Sequence, residues 1–280
     1  MPSSSLVAVG IAVFVVLGIS RMLTKRAGGP KPSRETTPTP SPVPPAMRDY
    51  VALAADLGHR LALPTAILQP DPSLPPGEPT ETRVGGVLML GRGESWPRND
   101  AGVPMQGLMQ INVAQLPNPP AELQGVAFVA VFWDRSGIAR DRHVGHVREY
   151  ASLADLVPAV APPEPKPLKD FPVRFLAIQE RAPLSMLLAE VPDYREWADA
   201  EADQLWEALE SLESADAELS YQCKVGGWPA SVQDDIDRPV TLQVGYDDVA
   251  RINLVDAGCL YLWRVQKDGE WVWESDLQFY

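Results

Sequence analysis

Histidines, clustered aspartates and cysteines are the side chains in this sequence that could bind a metal ion or act in catalysis. His143 and His146 stand three residues apart, as two zinc ligands on a helix would, but the segment around them alternates like a strand and offers no third ligand. The run Asp234, Asp235 and Asp237 lacks the spacing and the glycine of an EF-hand calcium loop. We therefore predict no metal site and no cofactor.

Cys223 and Cys259 both lie in the second half of the chain, and two isolated cysteines make neither a disulfide scaffold nor half of a CxxC metal site. Reduced core thiols are favoured over a disulfide or a nucleophile paired with a histidine. The chain contains no Ser-His-Asp order, nucleophile elbow, HExxH motif or kinase signature. We assign no catalytic residue, and the sequence favours a protein that is not an enzyme.

Composition restricts the classes of protein further. The 280 residues are 45% hydrophobic, which is enough to build a core, and 24 basic against 37 acidic residues leave a net charge of −13. A chain this acidic lacks the basic surface of a nucleic-acid-binding protein. The charge is uneven, because residues 1–28 carry +3 and the remainder carries −16.

The N-terminal segment has the pattern of a membrane anchor. Residues 6–18 are all apolar or glycine, and residues 3–23 give roughly the 17–20 positions that cross a bilayer. The alternative is a secretory signal peptide, but no basic residue precedes the run and no small-x-small cleavage site follows it. Three basic residues follow the run: Arg21, Lys25 and Arg26. Because positive flanks stay in the cytoplasm, we predict that residues 1–26 anchor the protein in the inner (cytoplasmic) membrane with its body cytoplasmic.

Residues 27–46 contain seven prolines in a Ser/Thr background, which predicts an extended linker. A docking site for a proline-reading module is the alternative. From Met47, apolar residues recur at steps of three and four, which predicts an amphipathic helix ending near Pro64. The remaining domain is expected to span residues 47–280.

A pattern in this domain occurs twice. Repeat one covers about residues 84–133 and repeat two about 225–263; each contains Val-Gly-Gly, Trp-Pro, a short run centred on glutamine, and a glycine that opens a β-rich run. The motif residues are Gly85, Gly86, Trp96 and Gln110 in the first repeat, and Gly226, Gly227, Trp228 and Gln243 in the second. The ordered matches favour an internal duplication of a small β-unit, and we take these eight residues as candidate binding residues.

Gln110 and Gln243 have two interpretations. Each amide could bind backbone groups and so hold the Gly-Gly loop to the sheet, or the two amides could line a cleft between the repeats. Strand alternation predicts that Leu108 shares the face of Gln110, opposite Met109. The tryptophans leave a similar choice, because Trp96 and Trp228 could pack in the core or form a peptide groove.

The repeat motifs resemble a known family. KVGGWPASVQ at 224–233, LQV at 242–244 and DAGCLYLW at 256–263 look like the YwqG-like family, catalogued as domain of unknown function 1963. The resemblance extends over about residues 47–280 and departs from the usual family pattern at Val87. It implies an α+β fold with an internal duplication, and it brings no established activity, cofactor or catalytic residue.

An insert of about residues 143–220 separates the repeats. Asp193 lies three residues before Glu196 after a proline, which predicts a capping box and an acidic helix of about five turns. Residues 190–218 hold eleven acids and one base. This face is either a solvated surface or a docking surface for a basic partner, with four candidate residues: Glu201, Glu207, Glu210 and Glu213.

These features favour a membrane-tethered module that binds a protein or peptide, with a regulatory or toxin-neutralising role. The alternative is a hydrolase or small-molecule-binding enzyme with a cleft between the repeats that uses Gln110, Gln243 and Asp234. The sequence does not indicate an oligomeric state. Overall, it predicts an α+β, internally duplicated, β-rich domain with flanking helices, preceded by one transmembrane helix.

Overall fold

A computed structural model of the chain describes residues 49–136, 144–212, 222–233 and 236–279. These residues belong to one compact unit, Met47–Tyr280. The predicted anchor and linker lie outside the described residues. Within those residues, no helix has both the length and the apolar character needed to cross a bilayer.

The described residues are β-rich, with a few helices outside a nearly closed, barrel-like sheet. The strands are β1 (Leu63–Pro70), β2 (Arg83–Val84), β3 (Met89–Gly91), β4 (Gln106–Asn112), β5 (Phe128–Trp133), β6 (Gly145–Tyr150), β7 (Leu156–Pro158), β8 (Phe171–Glu180), β9 (Lys224–Gly226), β10 (Leu242–Val244), β11 (Cys259–Lys267) and β12 (Glu270–Gln278). The α-helices are α1 (Tyr50–Arg60), α2 (Leu184–Ala189) and α3 (Asp199–Glu210).

Ten strands form one sheet, in the order β12-β11-β10-β9-β1-β8-β2-β4-β5-β6, and β3 pairs with β7 separately. The end strands β6 and β12 approach each other through side chains. Gly145 N donates to Ser275 Oγ at 3.2 Å, and a Cβ on Gly145 would lie 2.7 Å from Leu262 Cδ2. The glycine therefore allows the close approach that brings the two ends of the sheet together.

This strand order is symmetric about the central pair β1 and β8. Strands β9, β10, β11 and β12 follow β1 outward, as β2, β4, β5 and β6 follow β8 on the other side. The two central strands are exchanged between the halves. Strand β1 belongs to the first half of the chain but pairs with β9 of the second half, whereas β8 pairs with β2 of the first half. Strands β6 and β8, which the sequence pattern placed in the insert, are thus part of the sheet.

Alternate side chains of the strands build the inner core and the outer layers. In β5, Val129 and Val131 face the largest hydrophobic cluster, whereas Phe128 and Phe132 pack in a separate one on the other face. The prediction that Leu108 shares the face of Gln110 is wrong. An irregularity between Gly107 and Met109 shifts the register, so Leu108 joins the inner core.

The helices pack together outside the sheet. Asp49 caps α1 by accepting from Ala52 N at 3.0 Å, and α1 buries Ala54 and Leu57 against a cluster that includes Leu205 of α3.

The predicted start of the acidic helix at Asp193 is wrong. Asp193 has a left-handed backbone with φ 55° and makes no capping hydrogen bond, and only a 3₁₀ turn follows it, over Tyr194–Glu196. Trp197 is extended, which interrupts the helical path, so α3 begins at Asp199. The acidic helix therefore has 12 residues rather than five turns.

Candidate functional site

The two Gly-Gly pairs occupy matching places next to the central strands, the first at the end of β2 beside β8 and the second at the end of β9 beside β1. All four glycines have positive φ, from 72° to 83°. A Cβ on Gly86 would lie 2.7 Å from Asp170 Cγ, and a Cβ on Gly227 would lie 2.1 Å from Glu180 Oε2. Each pair therefore lets a carboxylate from one end of β8 approach the backbone.

Gln110 and Gln243 make matching hydrogen bonds in the two halves. Gln110 Oε1 accepts from Met89 N at 3.0 Å, and Gln243 Oε1 accepts from Ala230 N at the same distance. Their amide nitrogens donate to backbone carbonyls, which belong to Pro79 and Glu81 for Gln110 and to Gln222 for Gln243. Both side chains are fully buried, so the contacts fit the interpretation in which they hold backbone segments to the sheet.

Trp96 and Trp228 pack in different places. Trp96 contacts Phe132 edge-on with ring centres 5.2 Å apart, and its Nε1 donates to Met105 O at 2.8 Å. Trp228 is 7% exposed, packs with the helices, and donates from Nε1 to Leu61 O at 2.8 Å. The two rings pack in different hydrophobic clusters, so the two Trp-Pro pairs are not structurally equivalent.

A buried ion pair that the sequence analysis missed joins the second Gly-Gly motif to β8. Lys224 Nζ donates to Glu180 Oε1, and the two side chains are 0% and 5% exposed. Glu180 Oε2 also accepts from Thr65 Oγ1 at 3.1 Å and Trp228 N at 3.0 Å. Burial lowers the pKa of Lys224, although the neighbouring Glu180 carboxylate acts in the opposite direction. With every oxygen of Glu180 bonded, this cluster is a structural centre rather than an open catalytic one.

The first half has a more exposed counterpart. Arg83, which precedes Val84-Gly85-Gly86 as Lys224 precedes its own Val-Gly-Gly, donates from Nη1 to Asp170 Oδ2 at 2.8 Å. The Asp170 side chain is 45% exposed. One signal could have indicated both pairs: a basic residue directly before Val-Gly-Gly in each repeat.

Among the described residues, the histidine and the cysteines that were candidates for metal binding or catalysis do not form a site. Cys223 and Cys259 are buried thiols that form no disulfide, and burial raises their pKa values to about 12 and about 11. Burial, together with Arg148, lowers the pKa of His146. Three other predicted residues lie outside the described part of the chain: His143, Asp234 and Asp235. Among the described residues, no group of three or more His, Cys, Asp or Glu could hold a metal ion.

The outward face of α3 is the candidate binding surface. We define the acidic face as the exposed residues Asp203, Trp206, Glu207 and Glu210. Trp206 is 40% exposed, which is unusual for so large an apolar side chain. Glu207 is its neighbour in the sequence, and Asp203 and Glu210 lie about one helical turn before and after it. Of the predicted docking residues, Glu207 and Glu210 lie on this face, and Glu213 lies outside the described residues.

Glu201, the fourth predicted docking residue, does not lie on the acidic face. It is half-buried and its Oε1 accepts from Tyr50 OH of α1 at 3.5 Å, so it faces the helix pair rather than solvent.

An apolar groove lies beside the acidic face. It has a volume of about 580 Å³, and its lining combines the apolar Leu188 and Val191 with Tyr194, two acids and one base, which are Asp193, Glu196 and Arg195. Burial and the nearby Asp203 carboxylate raise the pKa of the Tyr194 phenol, which places the groove next to α3. Apolar walls bordered by acids suit a partner segment that carries both apolar and basic side chains.

A comparison with protein-family models gives a match. The family model described as "Domain of unknown function (DUF1963)" matches residues 82–269, which confirms the resemblance that the repeat motifs indicate. No curated protein matches the chain.

Proposed function

Because the chain belongs to the family of domain of unknown function DUF1963, whose description specifies no activity, we propose a function from the site alone: the domain binds a basic protein partner through the acidic face of α3. One observation carries the proposal, namely the exposed Trp206 among the carboxylates of Asp203, Glu207 and Glu210. Tryptophan is enriched among residues that dominate binding energy. Its ring also attracts lysine and arginine through cation–π contact.

The acidic surroundings support a basic partner. No carboxylate of the acidic face forms an ion pair with a described residue, so these charges are available to a partner. Such a surface accelerates association at low salt more than it strengthens the final complex. The proposed role is therefore capture of a basic partner, in keeping with a regulatory or toxin-neutralising module.

A photocrosslinker tests the proposal. A photoreactive phenylalanine analogue replaces Trp206 in the full chain, and the same analogue at Val160, which is 92% exposed and lies far along the chain, is the control. We expect an adduct with a defined protein from position 206 and none from position 160. Adding Glu207→Gln and Glu210→Gln should lower the yield at low ionic strength and have less effect at high ionic strength.

Identical adducts from both positions would contradict the proposal. So would an adduct whose yield does not change when the two glutamates are neutralised.

The described residues offer no observation in favour of the enzyme alternative. Two of the residues it requires, Gln110 and Gln243, are buried and use their amides on backbone groups. The third, Asp234, lies outside the described residues.

We also propose that residues 1–26 anchor this module in the inner (cytoplasmic) membrane and that residues 27–46 link it to the anchor. The apolar run and its basic flank support this arrangement. A reporter fused after Tyr280 tests the orientation, since a reporter active outside the cytoplasm would contradict it.

Finally, we propose that the two halves arose by duplication. The symmetric strand order and the matching bonds of Gln110 and Gln243 support this proposal. Under this proposal Ala230 is the counterpart of Met89, so Trp228 corresponds to Val87 rather than to Trp96.

A further inference from the structure

Strand β8 has an edge that is only partly paired. Its full length pairs with β1, but on the other side β2 pairs with it only at Phe171 and Pro172. From Val173 to Gln179, no strand among the described residues pairs with this second edge. Unpaired backbone along a strand is a template for another extended chain.

The hydrogen-bonding direction of β8 follows from its contacts. Pro172 O accepts from Asp71 N at 2.9 Å, on the β1 side of the strand. Leu68, the partner of Phe175 in the ladder, donates its N–H to Cys223 O and not to β8. Because backbone groups alternate in direction along a strand, the N–H and C=O groups of Val173, Phe175, Ala177 and Gln179 point away from β1.

A slot lies along this edge. The edge slot has a volume of about 410 Å³ and runs between β8 and the arm of residues 74–82. Val173 and Phe175 line it from β8, and Leu74 and Pro75 line it from the arm. The edge slot therefore lies where residues 81–82, just before β2, would otherwise continue its pairing with β8.

The charge of the edge slot is negative. Glu78 and Glu81 are the charged residues in its lining, which contains no lysine or arginine. Within the described part of the chain, neither carboxylate takes part in an ion pair. Arg83, the residue that directly follows the arm, donates to the carbonyl of Glu78 and to Asp170 instead.

We propose that the edge slot binds an extended segment of a partner protein by strand addition, with backbone bonds to Val173–Gln179, apolar side chains beside Phe175, and a lysine or arginine beside Glu78 and Glu81. Strand addition draws affinity from the backbone edge and specificity from alternate side chains. The proposal goes beyond the acidic face of α3 and does not depend on it.

A random library of nine-residue peptides, selected against the full chain in mild detergent, supplies the probes. We expect the selected peptides to alternate β-branched or apolar residues with polar ones and to contain a basic residue. Each is then synthesised in two forms, methylated on one or the other set of alternate amides. Methylation on the set that faces β8 should weaken binding at least tenfold, and the other set should have little effect.

Two matched pairs of variants test the slot itself. Ala177→Pro removes an N–H that points away from β1, and an edge strand tolerates this substitution. It should weaken peptide binding at least tenfold, whereas the control Ala177→Val should not. Glu78→Gln with Glu81→Gln should weaken binding of lysine-containing peptides, whereas Glu122→Gln should not. Thermal melting establishes that each variant folds. Trp206→Ala should leave peptide binding to the edge slot unchanged, and this result distinguishes the edge slot from the acidic face.

Three results would overturn the proposal. The first is selection of no peptide that Ala177→Pro weakens relative to Ala177→Val. The second is equal binding by both methylated forms. The third is self-association of the chain that Ala177→Pro abolishes, because the edge would then be occupied by a second copy.

Discussion

Arg264 reaches from β11 to the other end of the sheet and binds both carboxylate oxygens of Glu149 in β6, at 2.7 and 2.9 Å. Trp273 Nε1 donates to the same carboxylate at 2.8 Å, and the Arg264 guanidinium lies 4.4 Å from the centre of the Trp271 ring. This bidentate contact holds the ends of the sheet together where the backbone ladder stops.

Glu149→Gln should make stability less dependent on pH in the acid range. Burial raises the pKa of Glu149, but hydrogen bonds from Arg264 and Trp273 outweigh it and keep the pKa below the usual value. A carboxyl whose pKa is lower in the folded state stabilises the fold above its unfolded pKa, and this contribution is lost as the pH falls through the folded pKa. Urea unfolding should therefore show the largest difference between wild type and variant near neutral pH, and a shrinking difference below about pH 5.

Glu122→Gln is the matched control, because this glutamate is exposed and contributes only its backbone carbonyl to Arg264. A difference between wild type and Glu149→Gln that stays constant from neutral to acid pH would contradict the role given to this contact.

Gly227→Ala should cost far more stability than Gly93→Ala. Both glycines have nearly the same positive φ, 83° for Gly227 and 86° for Gly93, so the cost of placing a residue with a Cβ in this left-handed conformation, about 1–2 kcal/mol, is shared. A Cβ on Gly227 would lie 2.1 Å from both Glu180 Oε2 and Thr65 Oγ1, whereas a Cβ on Gly93 meets nothing within 4 Å. Equal losses in the free energy of unfolding would show that the carboxylate moves aside freely.

Lys224→Met should destabilise the fold by about 3–5 kcal/mol, because it leaves the Glu180 charge buried without its cation. Lys267→Met, which breaks an exposed pair with Glu274, should cost less than about 1 kcal/mol. Combining Lys224→Met with Glu180→Leu should recover part of the loss. Chemical denaturation of the full chain measures all three, and a single variant no worse than the Lys267 control would refute the structural role.

Gln110→Leu and Gln243→Leu should each cost about 1–3 kcal/mol, because a buried backbone N–H, of Met89 or Ala230, loses its acceptor. Gln204→Leu on the exposed side of α3 is the control and should have little effect. Similar losses in the two halves are expected from the matching geometry. Unchanged stability in either variant would mean that water or another group replaces the amide.

Local patterns predicted those parts of the molecule that depend on nearby residues. The helix stripe from Met47 anticipated α1, and the repeated Val-Gly-Gly and glutamine runs located the matching backbone contacts of the two halves. Sequence patterns gave wrong predictions where the backbone conformation differs from the one that the residue types favour. Asp193 has the side chain of a helix cap but a left-handed backbone, and the irregularity after Gly107 turned Leu108 inward.

The missed features join residues far apart in the chain. Glu180 and Lys224 are 44 residues apart, and Arg264 is 115 residues from Glu149. The basic residue before Val-Gly-Gly could mark Lys224, but no local pattern identifies the acid opposite it or links Arg264 to Glu149, because periodicity reports which face of an element is buried and not which element lies opposite. The sequence does not distinguish Trp206 from the other tryptophans, because its exposure depends on how α3 is oriented in the fold.

The exchange of β1 and β8 has a consequence for synthesis on the ribosome. Strand β2 can pair on its β8 side only after Phe171 has been made, and β1 meets β9 only after Lys224 has emerged. Strands β2, β4, β5 and β6 can pair with one another as soon as they emerge, but β1 and one edge of β2 must wait for β8, which exposes them to wrong partners and slows folding. We therefore expect neither half to fold when it is expressed alone, and we expect the two halves produced as separate polypeptides to complement each other.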